Sequence, residues 1–86
     1  MKQLEKILKA LANRRRLAIL AYLKREREAP VGDIAREIRL SLKATSKHLT
    51  VLSSADLVDR EQRSLQMFYR LNASIPAPAR HVITIL

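Results

Sequence analysis

The fold is decided by residues 41–54, which read SLKATSKHLTVLSS. Advancing by 100° per residue, as an α-helix does, places Thr45, Leu49 and Leu52 within about 60° of one another, on a core-facing side. The opposite side is polar and consists of Lys43, Ser46, Lys47, Thr50 and Ser54. No Asp or Glu occurs anywhere in the stretch. The pattern therefore predicts an amphipathic helix, capped by Ser41, whose exposed side is basic.

Four residues of that side, Lys43, Ser46, Lys47 and Thr50, define what we call the acid-free face, and they indicate contact with nucleic acid. Ammonium and hydroxyl groups donate hydrogen bonds to phosphates and base edges, and no carboxylate repels the anion. The alternative is an ordinary solvated face that happens to be basic. Leu42 lies nearer the core side, so we expect it to pack against its neighbours rather than to contact a thymine methyl group.

A shorter helix precedes this one; Val31-Gly32-Asp33 opens it, and Ile34, Ala35 and Ile38 are apolar at three- and four-residue spacing. Together the two predict a helix-turn-helix at about residues 32–54. Two earlier helices are expected: one with the apolar stripe Leu4, Ile7, Leu8 and Leu11, and one from Arg14 to about Arg25, capped by Asn13, that buries Leu17, Leu20 and Leu23. Glu26–Pro30 is predicted to be a solvated connector, because the residue before a proline disfavours helix.

Strand character appears after Asp56 and predicts a β-hairpin, or wing, at about residues 57–71. The strands are Leu57–Glu61 and Gln66–Leu71, joined by a loop at Gln62–Leu65. Arg60 and Arg63 are candidates for contact with the DNA backbone or minor groove, and Arg63 at the tip is the better one. The alternative is a charged edge strand that resists aggregation, and Arg70 fits either interpretation. Pro76 and Pro78 then interrupt the chain before an apolar C-terminal segment at residues 82–86.

Composition limits the partners. The 86 residues contain 17 Lys and Arg against 8 Asp and Glu, a formal net charge of +9, which favours an anionic partner. There is no cysteine, which excludes disulfides and thiolate metal sites. No run approaches the length of a membrane span, and the charged N-terminus lacks the apolar core of a signal peptide, so we expect no membrane partner and a cytoplasmic location. We expect one domain over residues 1–86.

Three blocks of the chain, spanning about residues 8–72, resemble the ArsR-type (arsenic-repressor-like) family of winged helix-turn-helix regulators. They are LKALANRRRLAIL at residues 8–20, SLKATSKHLTVL at residues 41–52, and Leu57-Val58 followed by Tyr69-Arg70-Leu71. The resemblance implies a homodimer with one recognition helix in the major groove at each half-site. It also makes His48 a structural residue or a phosphate contact, and favours phosphate contacts by Arg14 and Arg15, whereas Arg16 is expected to pair with a carboxylate.

The family dimerises through its first and last helices. The residues of this chain at those positions are Leu4, Ile7, Leu8, Leu11, Val82, Ile83, Ile85 and Leu86, and their alternative role is in the core of a single subunit. The sensing chemistry of the family is not implied, because the chain has no cysteine and only His81 near the last helix. Asp56 and Ser64 stand where the family has glycines.

The sequence thus predicts a mainly α-helical winged helix-turn-helix domain with a small β-hairpin, in the order α-α-α-α-β-β-α. The expected function is sequence-specific binding of double-stranded DNA by a homodimeric transcriptional regulator, as a repressor, with Ser41 and His48 added to the DNA-contacting set. The alternatives are a winged-helix module for RNA or a protein partner, or an architectural protein that binds DNA non-specifically. No catalytic motif, metal cluster or cofactor site is recognised, and no effector is identified.

Overall fold

The computed structural model describes all 86 residues as five helices and one three-stranded antiparallel sheet. In chain order the elements are α1 (Lys2–Leu11), α2 (Arg14–Glu26), β1 (Glu28–Pro30), α3 (Val31–Ile38), α4 (Leu42–Ser54), β2 (Val58–Arg63), β3 (Gln66–Leu71) and α5 (Ala77–Thr84). The predicted mainly helical fold with a β-hairpin is confirmed, and β1 is an addition to it.

Side-chain caps determine where α2 and α4 begin. The Asn13 Oδ1 accepts hydrogen bonds from the backbone N–H groups of Arg15 and Arg16, at 2.9 and 3.1 Å. The Ser41 Oγ accepts from the N–H of Ala44 at 3.1 Å. Both predicted caps are confirmed, and each is worth about 1 kcal/mol relative to alanine.

The core lies where α2, α3 and α4 meet the sheet. Its largest fully buried side chains are Ile19, Leu20, Leu23, Ile34, Leu49, Leu52, Leu57, Val58 and Thr45. The predicted core side of α4 is confirmed, since Thr45, Leu49 and Leu52 are all inaccessible to solvent. This burial leaves the opposite side of α4, with the acid-free face, turned outward.

The segment before α3 corrects one expectation. Residues 28–30 were expected to be a solvated connector, but they form β1, which pairs with β3 and places Ala29 opposite Tyr69 in the core. A residue before proline is biased toward extended backbone, which excludes helix but suits a strand. Pro30 ends β1 on the edge of the sheet, where a missing N–H is tolerated.

Four residues adopt the positive φ that glycine usually provides. Arg27 has φ of 77° after α2, Arg39 has 57° in the turn between α3 and α4, Asp56 has 61° before β2, and Ser64 has 58° in the wing. The wing turn consists only of Ser64 and Leu65, because Arg63 still pairs with Gln66. The expected loop at residues 62–65 is therefore two residues too long.

The prolines near the C-terminus begin α5 rather than preceding it. Pro76 is the N-cap residue and Pro78 lies in the first turn, where no intrahelical N–H donor is needed. α5 packs against α1, so the two ends of the chain meet on one side of the domain.

Candidate nucleic-acid interface

The acid-free face is exposed along the length of α4. Lys43, Ser46, Lys47 and Thr50 are all exposed, and neither lysine has a hydrogen-bond or ion-pair partner within the chain. The positive end of the α4 dipole lies next to Lys43, which adds to the positive potential there. The face thus presents two free cations on a rigid element, the arrangement that a polyanion requires.

Two hydroxyls near this face are already engaged. The Ser41 Oγ accepts the capping hydrogen bond, and the Thr50 Oγ1 donates to the carbonyl oxygen of Ser46 at 3.0 Å. The Ser41 hydroxyl proton is still free to donate outward, whereas the Thr50 proton is used inside the helix. Of these two sequence-predicted contacts, Ser41 is thus the better donor and Thr50 the better acceptor.

Leu42 differs from the expectation that it packs against its neighbours, since 57% of it is exposed. Its angular position on α4 lies toward the core side, but it occupies the first turn. Because helical side chains point toward the N-terminus, a side chain in the first turn extends past the end of the helix. Leu42 therefore lies beside the acid-free face, beyond the reach of the core.

Arg16 connects α4 to the end of α1. Its Nε and Nη2 donate to the carbonyl oxygens of Ala10 and Lys9 at 2.7 and 2.9 Å, and its Nη1 lies 3.3 Å from His48 Nδ1. The expectation that Arg16 pairs with a carboxylate is wrong. Arg16 instead binds backbone carbonyls at the C-terminus of α1, which lack hydrogen-bond partners within the helix. Because a guanidinium only donates, His48 Nδ1 accepts and the imidazole is neutral.

The environment of His48 agrees with that assignment. Burial, and then the positive charges of Arg16 and Arg15, lower the pKa of His48. His48 therefore anchors α4 to Arg16. Its ring is partly exposed, and the contact that it makes lies within the chain, which supports the structural role.

The two other arginines at the start of α2 differ in their contacts. Arg14 is exposed and has no partner within the chain, whereas Arg15 is exposed and donates through Nη1 to the carbonyl oxygen of Ile38 at 3.3 Å. That long contact ties Arg15 to the end of α3, next to the turn that leads into α4. Both guanidinium groups stay accessible to a phosphate.

The arginine at the wing tip is engaged within the sheet. Arg63 forms a two-pronged ion pair with Glu28 of β1, at 2.8 and 2.9 Å, and a further contact with Glu61 at 3.2 Å. Its guanidinium carbon also lies 4.6 Å from the centre of the Phe68 ring. Arg63 is therefore folded back along the outer side of the sheet, and its guanidinium is not free at the tip.

The same cluster occupies the third wing arginine. Arg70 donates to Glu61 at 3.1 Å. Hydrogen bonds from Arg63 lower the pKa of both Glu28 and Glu61 and raise the pKa of Arg63. Arg60 alone remains exposed and unpaired in the wing. Glu28 was overlooked in the sequence because its role depends on β1, for which a three-residue segment gives no periodic signal.

The predicted dimer residues divide into two groups. Ile7, Leu11 and Ile83 are buried in the subunit's own core, which is the alternative role given for them. α1 and α5 pack against each other, and apolar side chains stay exposed on α1 and at the end of α5: Leu4, Leu8, Ile85 and Leu86, with Val82 half-buried. We call these five residues the apolar end face.

No group of three or more His, Asp or Glu side chains is placed to hold a metal ion, and His81 is exposed on α5. None of the five helices combines the length and the apolar composition that a membrane-spanning helix needs.

The chain is similar in sequence to known helix-turn-helix proteins. Residues 11–61 match a helix-turn-helix domain family. The transcriptional activator HlyU of Vibrio cholerae is 38% identical over 68 residues, which are 79% of this chain and 62% of HlyU. The matched segment thus spans less than two thirds of that relative's length.

Solved structures show the same fold. HlyU from Vibrio cholerae N16961 superposes with a TM-score of 0.83 and 32% identity, over 98% of this chain and 87% of that one. A homodimeric winged helix-turn-helix DNA-binding domain from Mycobacterium bovis, a possible ArsR-family transcriptional regulator, gives 0.82 and 30%, over 98% and 74%. The transcriptional repressor BigR from Xylella fastidiosa gives 0.80 and 28%, over 99% and 83%.

Proposed function

The chain belongs to the ArsR-type family of winged helix-turn-helix domains, and from that premise we propose that it binds double-stranded DNA as a homodimeric transcriptional regulator. The recognition helix α4 enters the major groove with the acid-free face toward the bases. Arg14, Arg15 and Arg60 contact the phosphate backbone, and Ser41 donates to it from the start of α4. No catalytic step is part of the proposal, and the expected location is the cytoplasm.

The observation that supports this proposal best is the pair of free lysines on α4. Elsewhere in the chain several cations are neutralised locally, as Arg63, Arg70 and Arg36 are by carboxylates. The lysines of the acid-free face have no such partner, although the chain has a formal net charge of +9. A rigid, exposed, positively charged helix face that lacks internal partners matches a major-groove ligand.

The dimer is proposed to form through the apolar end face. Leu4 and Leu8 lie one turn apart on α1 and are exposed beside the end of α5, where Ile85 and Leu86 are also exposed. A small domain gains stability by covering such a surface with a second copy. A two-fold axis through this face would place the two α4 helices to contact half-sites roughly 34 Å apart, one turn of DNA.

Repression is the proposed sign of regulation, because a dimer bound at a promoter excludes polymerase without contacting it. The relatives include both an activator, HlyU, and a repressor, BigR. A reporter gene with the selected site placed within or upstream of the promoter tests the sign: loss of expression at the internal position supports repression, and a gain at the upstream position supports activation.

The proposed binding is tested by selection from a randomised pool of double-stranded DNA at two salt concentrations. We expect a two-fold-symmetric motif with half-sites about one turn apart, and an affinity that falls steeply with salt. Salt-sensitive binding without an enriched motif would overturn sequence-specific regulation in favour of non-specific, architectural binding.

The proposed dimer is tested separately with Leu8→Glu and sedimentation equilibrium. Leu8 is about half exposed, so the added charge should disrupt an interface without disturbing the core. Gln3→Glu introduces the same charge at an exposed site on another side of α1 and serves as the matched control. A Leu8→Glu chain that dimerises as well as the control would exclude this face.

A further inference from the structure

The apolar side chain at the start of α4 is unexplained by the proposed set of charged and hydroxyl contacts. Leu42 occupies the first turn of the recognition helix and exposes 57% of its surface. It is the one large apolar residue exposed beside the acid-free face: the other apolar residue exposed on α4, Val51, lies nine positions later and therefore about 180° around the helix.

The position of Leu42 matters because the first residues of a recognition helix lie nearest the base edges. Ser46 is four residues further along α4 and so neighbours Leu42 on the surface, with Lys43 next to it in sequence. These neighbours are a hydroxyl and an ammonium group, which form hydrogen bonds with phosphates and with base acceptors such as those of guanine. Neither of them provides an apolar surface for a base.

The chemistry of the major groove then defines the ligand. The only apolar group that a base pair presents there is the C5-methyl group of thymine, and an aliphatic side chain is its natural partner. We propose that Leu42 is a specificity-determining residue that selects thymine at one position of each half-site by covering its C5-methyl group. This inference rests on the proposed binding of DNA by α4 and adds a base preference to it.

The expected size of the effect follows from burial of one methyl group. Covering a methyl group contributes about a fourfold increase in affinity, so a symmetric site with two such contacts gains about fifteenfold. Leu42 is therefore expected to favour thymine over other bases without excluding them, and shortening its side chain should weaken this preference.

The test uses the full chain and the best site recovered by selection. The thymines at each pair of symmetry-related positions in the two half-sites are replaced together by deoxyuridine, one pair at a time. That replacement removes the methyl group and leaves all hydrogen-bonding groups of the base intact. For the unmodified protein, we expect one symmetric pair of replacements to weaken binding by about fifteenfold. For Leu42→Ala, whose shorter side chain reaches less of the methyl group, the same replacements should have a much smaller effect, so the two changes are coupled.

Two further variants serve as controls. Leu42→Met retains an apolar side chain of similar volume and should keep the preference for thymine. Val51→Ala removes apolar surface from the other side of α4 and should leave it unchanged. Circular dichroism and thermal melting establish that each variant is folded, which we expect because both residues are exposed.

The outcomes separate this inference from the proposed function. Sequence-specific binding in which deoxyuridine has the same effect on the unmodified protein and on Leu42→Ala would overturn the role of Leu42 and leave the regulator intact. A selected half-site without thymine would do the same. Absence of any sequence-specific binding would overturn both.

Discussion

The acid-free face of α4 and the wing both contain positive side chains, but the two regions use them differently. On α4, Lys43 and Lys47 have no partner within the chain, whereas in the wing Arg63 and Arg70 are held by Glu28 and Glu61. The helix therefore offers its charge to a ligand, and the wing uses most of its charge to hold the sheet together. Counting basic residues in a sequence does not distinguish these two uses.

Each region also has an arginine anchor of a different chemical kind. Arg16 holds α4 through two backbone carbonyls and the neutral ring of His48, while Arg63 holds the wing through two carboxylates. The comparison predicts that the regions respond differently to loss of charge, to loss of a partner and to acid.

The largest effect is expected from the double variant Lys43→Ala with Lys47→Ala. A dimer loses four cations from its major-groove surface, so affinity for the selected site should fall by about 100-fold or more, and the dependence of log K on log salt should become shallower by about three to four. Fluorescence anisotropy at several salt concentrations measures both quantities.

The control for this double variant is Lys2→Ala with Lys6→Ala. It removes the same charge from exposed lysines of α1. If both double variants lose affinity equally, the effect is one of net charge, and the distinction drawn for α4 is wrong.

A smaller effect should separate the two wing arginines. Because Arg60 is unpaired and Arg63 is engaged, Arg60→Ala should weaken DNA binding by about tenfold and Arg63→Ala by about threefold or less. Thermal melting should show the reverse order, with the lower Tm for Arg63→Ala, because this variant leaves Glu28 without its ion-pair partner. Equal losses of affinity would indicate that DNA releases Arg63 from the sheet.

Removing the carboxylate that holds Arg63 should increase the affinity for DNA. Glu28→Gln weakens the hold on Arg63 and frees its guanidinium for a phosphate, so affinity should rise by about threefold and the salt dependence should steepen. Glu5→Gln removes the same negative charge from α1, where Glu5 pairs only distantly with Lys9 at 3.9 Å. An equal gain in that variant would attribute the effect to net charge rather than to Arg63.

The smallest expected effect is on stability in mild acid. Because the pKa of His48 lies below its ordinary value of 6.5 in the folded chain, the unfolded chain takes up this proton at higher pH. The free energy of unfolding should therefore fall as the pH drops through about 6.5 and level off below the folded pKa. Urea denaturation across this range should show the loss in the unmodified chain and in His81→Gln, but not in His48→Gln.

The ion pairs of Arg63 with Glu28 and Glu61 should persist near pH 6.5 and be lost only in stronger acid. The pKa values of Glu28 and Glu61 lie below their ordinary value of 4.5, so their contribution to stability is present above that value and is lost as the pH falls through the folded values. Glu28→Gln should therefore retain the loss of stability near pH 6.5, and its disappearance in that variant would contradict the difference between the two anchors.

The sequence alone was sufficient for the elements with strong local signals. The caps at Asn13 and Ser41, the core side of α4 and the hairpin follow from side-chain chemistry and periodicity, which act over a few residues. The free charges of Lys43 and Lys47 were also foreseeable, because no acid occurs within residues 41–54. Local patterns therefore determined the fold and the centre of the candidate site.

Only the tertiary structure decided which of the remaining side chains are engaged within the chain and which are available to a partner. Glu28 meets Arg63 across 35 positions of sequence because β1 joins the sheet, and Arg16 meets His48 across 32 because α2 crosses α4. Ile7 and Leu8 are adjacent and equally apolar, yet the fold buries one and exposes the other. Periodicity specifies which face of an element is apolar or charged, but the partner of each side chain depends on how distant segments pack, and that is a property of the whole chain.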